Sequence, residues 1–214
     1  MSNPSDDPRW QALSQSRRNE LLNLYRDVEA QHKWWDYIYE QFSEETAPTK
    51  GFRVANMFFS GFWSQGDGAC FTGKVDNWKV LLAALNKPET WAEVADAYGW
   101  YLQIASRGSY CHSGTMSAGE YDLGLPDGFY NPFDEDDDPL RFDAWQQIHG
   151  HKYPTERQLD DLVDEIVALA RSLADDLYSE LEAEYEHLTD DETVIAYLLD
   201  NCEEELVEEP EEVD

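Results

Sequence analysis

The residues with the clearest potential for chemistry are carboxylates, and half of them lie in the last 60 residues of the chain. Of 46 Asp and Glu residues, 23 fall in 155–214, where Arg157 and Arg171 are the only basic residues besides one histidine. This segment therefore carries −21 of the net charge of −31. Such a field repels nucleic acids and anionic membranes and attracts basic partners over about a Debye length, ~8–10 Å. A basic nucleic-acid-binding protein is thus a better partner than nucleic acid or a membrane.

The spacing of apolar residues predicts that these carboxylates lie on helices. Thr155 and Gln158 form a capping box, apolar residues recur at helical spacing from Leu159 to Leu177, and Thr189 with Glu192 repeats the capping signature. The acidic residues would spread over about 40 Å of helix and could stand where DNA phosphates lie in a basic groove. The predicted DNA-mimic face consists of Asp160, Asp161, Asp164, Glu165, Asp175, Asp176, Glu180 and Glu184, supplemented by Asp134, Asp136 and Asp137 from the preceding loop. The alternative is that the charges only keep the protein soluble.

Two other patterns resemble ligand-binding motifs but fail in detail. Residues 68–74 have the spacing of a phosphate-binding loop, but Val75 replaces the magnesium-binding hydroxyl and the segment has strand character. The run 134–138 begins like a calcium loop, but Pro139 and Trp145 replace its essential glycine and glutamate. We therefore expect no cofactor and no specific metal site, although loose binding of a divalent cation to the acidic run stays open.

A cysteine and a histidine form the remaining candidate for catalysis. Cys70 and His112 could meet across adjacent strands and act as a nucleophile and its base. The alternative is a small buried thiol near a hydrogen-bonded histidine. An enzyme that acts through Cys70, His112 or Asp67 ranks third among the functions, and we expect the protein not to be an enzyme.

The elements that must position these residues suggest an α+β fold. Apolar residues alternate at spacings of three and four from Leu21 to Phe42, which predicts one helix with His32 on its apolar face. Segments 54–63 and 69–75 have strand character, and SQGDG between them is a turn signature. This hairpin would expose Gln65 and Asp67 at its tip. Short helices at 77–84 and 89–97 and one or two strands within 98–123 would complete a small antiparallel sheet packed with helices.

The hairpin also carries a resemblance. The stretch FSGFWSQGDGACF, with HKWWDYIYEQF before it and YCHSGTM after it, resembles a family of small, mostly uncharacterised tailed-bacteriophage proteins over roughly residues 28–116. The resemblance implies a phage gene product that acts in the cytoplasm of a bacterium. It implies no activity for individual residues, and the acidic C-terminal region lies outside it.

Together these features predict an α+β core over 1–150 containing the 54–75 hairpin, an acidic helical region over 151–206 and a disordered acidic tail over 207–214. The first residues have neither the basic start nor the apolar stretch of a signal peptide, no apolar run reaches the ~18 residues of a membrane span, and the cysteines form no CxxC motif. The predicted function is a phage inhibitor that mimics DNA and binds a host defence protein, such as a restriction or CRISPR component. The alternative is an accessory protein that binds another host protein through the aromatic segment 98–133, and a homodimer is compatible with either.

Overall fold

The computed structural model describes residues 3–106, 111–125, 139–141 and 153–207. The α-helices are α1 (Pro8–Gln11), α2 (Gln15–Tyr25), α3 (Asp36–Gln41), α4 (Trp78–Ala84), α5 (Glu89–Tyr98), α6 (Glu156–Leu188) and α7 (Asp191–Asn201). The strands are β1 (Phe52–Phe59), β2 (Ala69–Val75), β3 (Tyr101–Ser106) and β4 (Met116–Asp122). A four-stranded antiparallel sheet accompanied by helices confirms the predicted α+β class.

The chain divides into two compact units, which we call the sheet unit (Ile38–Ser179) and the terminal unit (Met1–Tyr37 with Glu180–Asp214). This division differs from the predicted boundary near residue 150. Helix α6 supplies residues to both units, and the N-terminal segment packs with the C-terminal helix. Residues 208–214, which include most of the predicted tail, lie outside the described part of the chain.

The sheet has the strand order β1-β2-β3-β4 with antiparallel neighbours. Strands β1 and β2 form the predicted hairpin, with Phe52 opposite Val75 and Phe59 opposite Ala69. Along the chain, helices α4 and α5 follow β2 and precede β3, close to the predicted positions. Strand β1 ends at Phe59, so the connection to β2 is a nine-residue loop (60–68) and not a tight turn.

The core of the sheet unit forms around Phe71, which is fully buried. Its ring centroid lies 5.5 Å from that of Phe42 and 6.1 Å from that of Phe52. Helix α6 contributes buried residues such as Leu162 and Ile166, and aromatic contacts of this kind add to the free energy from apolar burial. The packing of Phe71, which lies on the predicted strand β2, therefore helps to hold this unit together.

Helix α6 begins at the predicted capping box. The Thr155 N–H donates to Gln158 Oε1 at 2.9 Å, and the Gln158 N–H donates to Thr155 Oγ1 at 3.2 Å. The prediction that Thr189 caps the second helix is wrong. Asp190 caps α7 by accepting from the Glu192 N–H at 3.0 Å, because the Thr189 hydroxyl instead donates to the carbonyl of Tyr185 at the end of α6.

The terminal unit has its own apolar core, in which α1 and α2 pack on α7. Its buried members are Trp10, Leu13, Leu21, Val194, Ile195, Leu198 and Leu199. Three arginines link the N-terminal segment to the C-terminal one: Arg9 pairs with Glu203, Arg17 with Glu205, and Arg26 with Asp191.

The predicted single helix from Leu21 to Phe42 is wrong. Helix α2 ends at Tyr25, a short 3-10 turn covers Glu29–Gln31, and α3 begins at Asp36. Leu21 belongs to the core of the terminal unit whereas Phe42 packs on Phe71 in the sheet unit. The regular spacing therefore reflects two separate cores, and His32 is exposed instead of lying on an apolar face.

The loop 60–68 depends on glycine at two positions. Gly66 has φ of +93°, a region that residues with a side chain rarely adopt. A Cβ atom on Gly68 would lie 2.5 Å from the Cβ of His112 and 2.9 Å from its Cα, closer than packing permits. Gly68 therefore allows the end of the loop to pass directly over the segment before β4.

We expect Gly66→Val and Gly68→Val each to lower the free energy of unfolding by about 1–3 kcal/mol. The loss should be larger for Gly68→Val, because the contacted atoms of His112 belong to or adjoin the backbone and cannot move freely. Urea unfolding followed by circular dichroism measures both changes, with Gln65→Ala at the exposed part of the loop as the control. Unchanged unfolding midpoints for both valine variants would contradict this account of the loop.

Candidate functional site

Five aspartates on α6 are exposed and lie outside the buried side of the helix. A helix turns once every 3.6 residues, so the buried series that includes Leu159, Leu162 and Ile166 leaves the other side in solvent. Within the described residues, none of the five side chains makes an ion pair or hydrogen bond. We call these residues the acidic row: Asp160, Asp161, Asp164, Asp175 and Asp176.

Glu165 was predicted to join this face, but the structure uses it differently. Its Oε1 accepts a hydrogen bond from Lys87 Nζ at 2.7 Å, and the Lys87 ammonium also lies 5.9 Å from the ring centroid of Trp91. The Lys87 side chain is only 20% exposed. Glu165 therefore fastens α6 to the segment after α4, and its charge is already balanced.

Arg171 divides the acidic row into two groups. Its Nε and Nη2 both donate to the Met116 carbonyl, at 3.1 and 2.6 Å, which fixes α6 to the first residue of β4. Asp160, Asp161 and Asp164 lie before Arg171, and Asp175 and Asp176 lie after it. The guanidinium leaves a positive charge between two negative patches.

The remaining predicted carboxylates do not extend the acidic row within the sheet unit. Glu180 is exposed and Glu184 is half-buried, and both belong to the terminal unit, where Glu184 lines a cleft together with aromatic residues. Asp134, Asp136 and Asp137 lie outside the described residues.

The hairpin loop exposes a tryptophan in addition to the predicted polar tip. Gln65 is exposed as predicted, but Asp67 is half-buried because its Oδ2 accepts from the Ser64 N–H at 2.7 Å. The Trp63 side chain is 71% exposed and its residue has φ of +68°, which is rare for any residue except glycine. Phe62 beside it lies 5.5 Å, between ring centroids, from Tyr178 of α6. The predicted tip of Gln65 and Asp67 did not include the exposed ring of Trp63.

Cys70 and His112 have separate hydrogen-bond partners in the structure. The buried Cys70 thiol lies 3.3 Å from Ser106 Oγ, whereas His112 Nδ1 accepts from the Gly114 N–H at 3.1 Å. Burial, and secondarily contact with Cys70, raises the pKa of the Cys111 thiol above its usual value, so this thiol is a weak nucleophile at neutral pH. Cys70 is a small buried thiol and His112 is a hydrogen-bonded histidine, which are the surroundings described by the alternative in the sequence analysis.

The described ranges lack both a metal-binding cluster of side chains and a membrane-spanning helix. No group of three or more His, Cys, Asp or Glu side chains there has an arrangement that could hold a metal ion. None of the helices in the same ranges is long and apolar enough to cross a membrane.

Comparison with known families places the chain in one of them. The family described as "Domain of unknown function (DUF8835)" matches residues 34–191, so the chain belongs to this family. The match includes the whole sheet unit from residue 38 onward and all of α6, so the helix that bears the acidic row is part of the family domain. No curated protein and no solved structure matches the chain.

The neighbouring residues Asp164 and Glu165 offer a matched test of the difference between an exposed carboxylate of the acidic row and a carboxylate that holds α6 in place. Glu165→Gln should lower the free energy of unfolding by about 0.5–1 kcal/mol, because it leaves the partly buried Lys87 ammonium without its partner. Asp164→Asn should change it by less than about 0.5 kcal/mol, since Asp164 is exposed and unpaired. Chemical unfolding of both variants provides the measurement. Equal destabilisation by the two substitutions would show that Glu165 has no special structural role.

Proposed function

We propose that this DUF8835 protein is a phage-encoded, non-enzymatic inhibitor that acts in the cytoplasm of the host bacterium. It occupies the DNA-binding surface of a host defence protein, such as a restriction or CRISPR component, by presenting carboxylates where phosphates would bind. The phage origin is supported by the resemblance of the hairpin segment, and the mode of action is supported by the acidic row.

The exposure of the acidic row is the observation that carries this proposal. The acidic row takes no part in holding the fold together, whereas Glu165 does so through Lys87. The acidic row has no such partner in the described structure, and the apolar side of the same helix is anchored, which fixes the carboxylates in place. A rigid set of unpaired charges loses less conformational entropy on binding than a flexible acidic tail would.

The dimensions of the acidic row limit what it can imitate. From Asp160 to Asp176 the helix rises about 24 Å, a length that corresponds to about seven base pairs of duplex DNA. Five carboxylates are fewer than the phosphates of such a duplex, and Arg171 separates them into two groups. The surface therefore matches a partner that contacts DNA through two clusters of Lys or Arg more closely than one that contacts every phosphate.

Neutralising the acidic row should abolish inhibition without unfolding the protein. The fivefold Asp→Asn variant should bind its target more weakly by about 1–5 kcal/mol, because exposed ion pairs contribute about 0.2–1 kcal/mol each, whereas Asp164→Asn alone should be nearly silent. The assay is the displacement of labelled duplex DNA from purified restriction and CRISPR effector proteins. A control with the same change in charge neutralises five exposed carboxylates of the sheet unit outside α6: Glu40, Glu44, Glu93, Asp96 and Glu120.

Two results would contradict the mimic. One is displacement of DNA by the fivefold variant at the concentration that the parent protein requires. The other is failure of the parent protein to displace DNA from any of these effectors. Equal loss for the control variant would show that net charge, and not the position of the acidic row, determines inhibition.

The exposed hairpin tryptophan favours a second function, in which the protein binds another host protein through an aromatic surface. Among the described aromatic residues Trp63 is the most exposed, at 71%, and Tyr121 at the end of β4, within the predicted segment 98–133, is 49% exposed. Residues 126–133 of that segment lie outside the described part of the chain. Trp and Tyr commonly dominate the energy of protein interfaces.

Salt and substitution distinguish the two functions. An aromatic interface should lose at least tenfold in affinity with Trp63→Ala, since a central tryptophan commonly contributes about 2 kcal/mol or more, and should respond little to salt. A carboxylate interface should weaken steeply between 50 and 300 mM NaCl, concentrations chosen to span a Debye length of about 14 to 6 Å. Binding of the host partner, measured by calorimetry, should therefore show either the dependence on Trp63 or the dependence on salt. The variant Tyr121→Ala tests whether β4 contributes to an aromatic interface.

A further inference from the structure

The terminal unit contains a cleft of about 450 Å³, and no residue of the acidic row lines it. Its walls come from three places: the segment between α2 and α3, the end of α6, and α7. We call it the terminal cleft and define it by the residues that line it and bear on its chemistry: Glu29, His32, Trp34, Glu184 and Tyr197.

The aromatic walls are held in place by contacts outside the cleft. Trp34 packs on Tyr185, with ring centroids 5.9 Å apart, and the Tyr185 hydroxyl donates to Asp27 Oδ1 at 3.2 Å. Burial, together with the neighbouring Asp27 carboxylate, raises the pKa of Tyr185, so its phenol stays protonated as a donor at neutral pH. Tyr197 packs on Tyr25 with ring centroids 6.3 Å apart. Two aromatic rings are therefore positioned before any ligand arrives.

Two carboxylates line the terminal cleft. Within the described residues, Glu29 and Glu184 make no ion pair or hydrogen bond, and no Lys or Arg is among the residues that line the cleft. The neighbouring Arg26 is already engaged, because its Nη1 donates to the Thr189 carbonyl at 2.8 Å and its Nη2 to Asp191 Oδ1 at 2.7 Å.

We propose that the terminal cleft binds a guanidinium group. Aromatic rings attract a cation to their faces, and carboxylates accept the N–H groups of a planar guanidinium in a fixed, often bidentate geometry. A quaternary ammonium could use the rings but has no N–H to donate to Glu29 and Glu184. An ammonium can also use a carboxylate and a ring, as Lys87 does with Glu165 and Trp91, but it is not planar and cannot lie flat on a ring or pair with a carboxylate in a fork. A guanidinium combines both contacts with the better geometry.

This site goes beyond the proposed inhibition, since it lies in the other unit and requires none of the acidic row. The guanidinium could belong to a small molecule or to an arginine side chain of a peptide. Both sources present the same group to the cleft, so the two arms of the experiment use methylguanidinium and N-acetyl-arginine amide as the probes.

Titration of the full-length protein with each probe, followed by NMR chemical shifts of the tryptophan indole and histidine ring protons, tests the site. We expect saturable shifts of Trp34 and His32 with a Kd of about 1 mM. Methylammonium and N-acetyl-lysine amide carry the same charge and should bind at least about threefold more weakly. Tighter binding of the arginine amide than of methylguanidinium identifies a peptide side chain as the source, and equal binding identifies a small molecule; either outcome supports the site.

Substitution of the two carboxylates locates the binding. The Glu29→Gln/Glu184→Gln variant should raise the Kd at least about fivefold, and Trp34→Leu should raise it as well. Glu186→Gln is the matched control, because Glu186 lies on the same helix as Glu184, is exposed, and does not line the cleft. Since Glu29 and Glu184 are unpaired, the double variant should keep the fold, which its unchanged amide spectrum elsewhere would verify.

Three outcomes would overturn the proposal. The first is the absence of saturable shifts at Trp34 and His32 with either guanidinium probe. The second is equal binding to the parent protein and to the double glutamine variant. The third is binding of tetramethylammonium as tight as that of methylguanidinium, which would assign the cleft to rings alone. These outcomes do not involve the acidic row, so this inference and the inhibition proposal can fail separately.

Discussion

Burial of the apolar side of α6 is the interaction on which the rest of the structure depends. The helix is 33 residues long, and its buried residues continue from Leu159 in the sheet unit to Leu181 in the terminal unit. Each fully buried leucine or isoleucine contributes about 1.5–3 kcal/mol relative to exposure. A helix anchored in this way has one side that must face solvent, and that side carries the acidic row. The exposure of the aspartates is thus a consequence of how the helix is held.

The few basic residues of this acidic protein hold its elements together. In the sheet unit, Lys87 binds Glu165 and Arg171 binds the Met116 carbonyl. In the terminal unit, Arg9, Arg17 and Arg26 each bind a carboxylate of the C-terminal segment. No polar or charged residue is fully buried in the part of the chain that the structure describes, so these contacts remain near the surface. With these five cations engaged, the unpaired carboxylates of the acidic row and of the terminal cleft are left for a positive partner.

Two negative surfaces with different physical properties result, one in each unit. The acidic row is open and extended, so its attraction for a basic partner acts over distance and weakens with salt. The terminal cleft places two carboxylates beside aromatic rings, and this arrangement acts at short range on a single planar cation. An acidic composition alone would suggest only the first kind of surface. The distinction between them lies in which carboxylates have rings beside them.

The sequence by itself determined the features that depend on neighbouring residues. The capping box of Thr155 and Gln158, the strand character around Phe71, the need for glycine at Gly66 and the amphipathic pattern of α6 all follow from local stereochemistry and spacing. Only the tertiary structure decided which core each apolar residue enters, and so broke the predicted helix between Leu21 and Phe42. It also determined which of several chemically similar carboxylates are paired. Asp164 and Glu165 are adjacent, yet the partner of Glu165 is Lys87, 78 residues away. Likewise, Glu184 lies in a cleft because the chain folds Trp34 and Tyr197 beside it, and pairings across such distances leave no periodic signal in a single sequence.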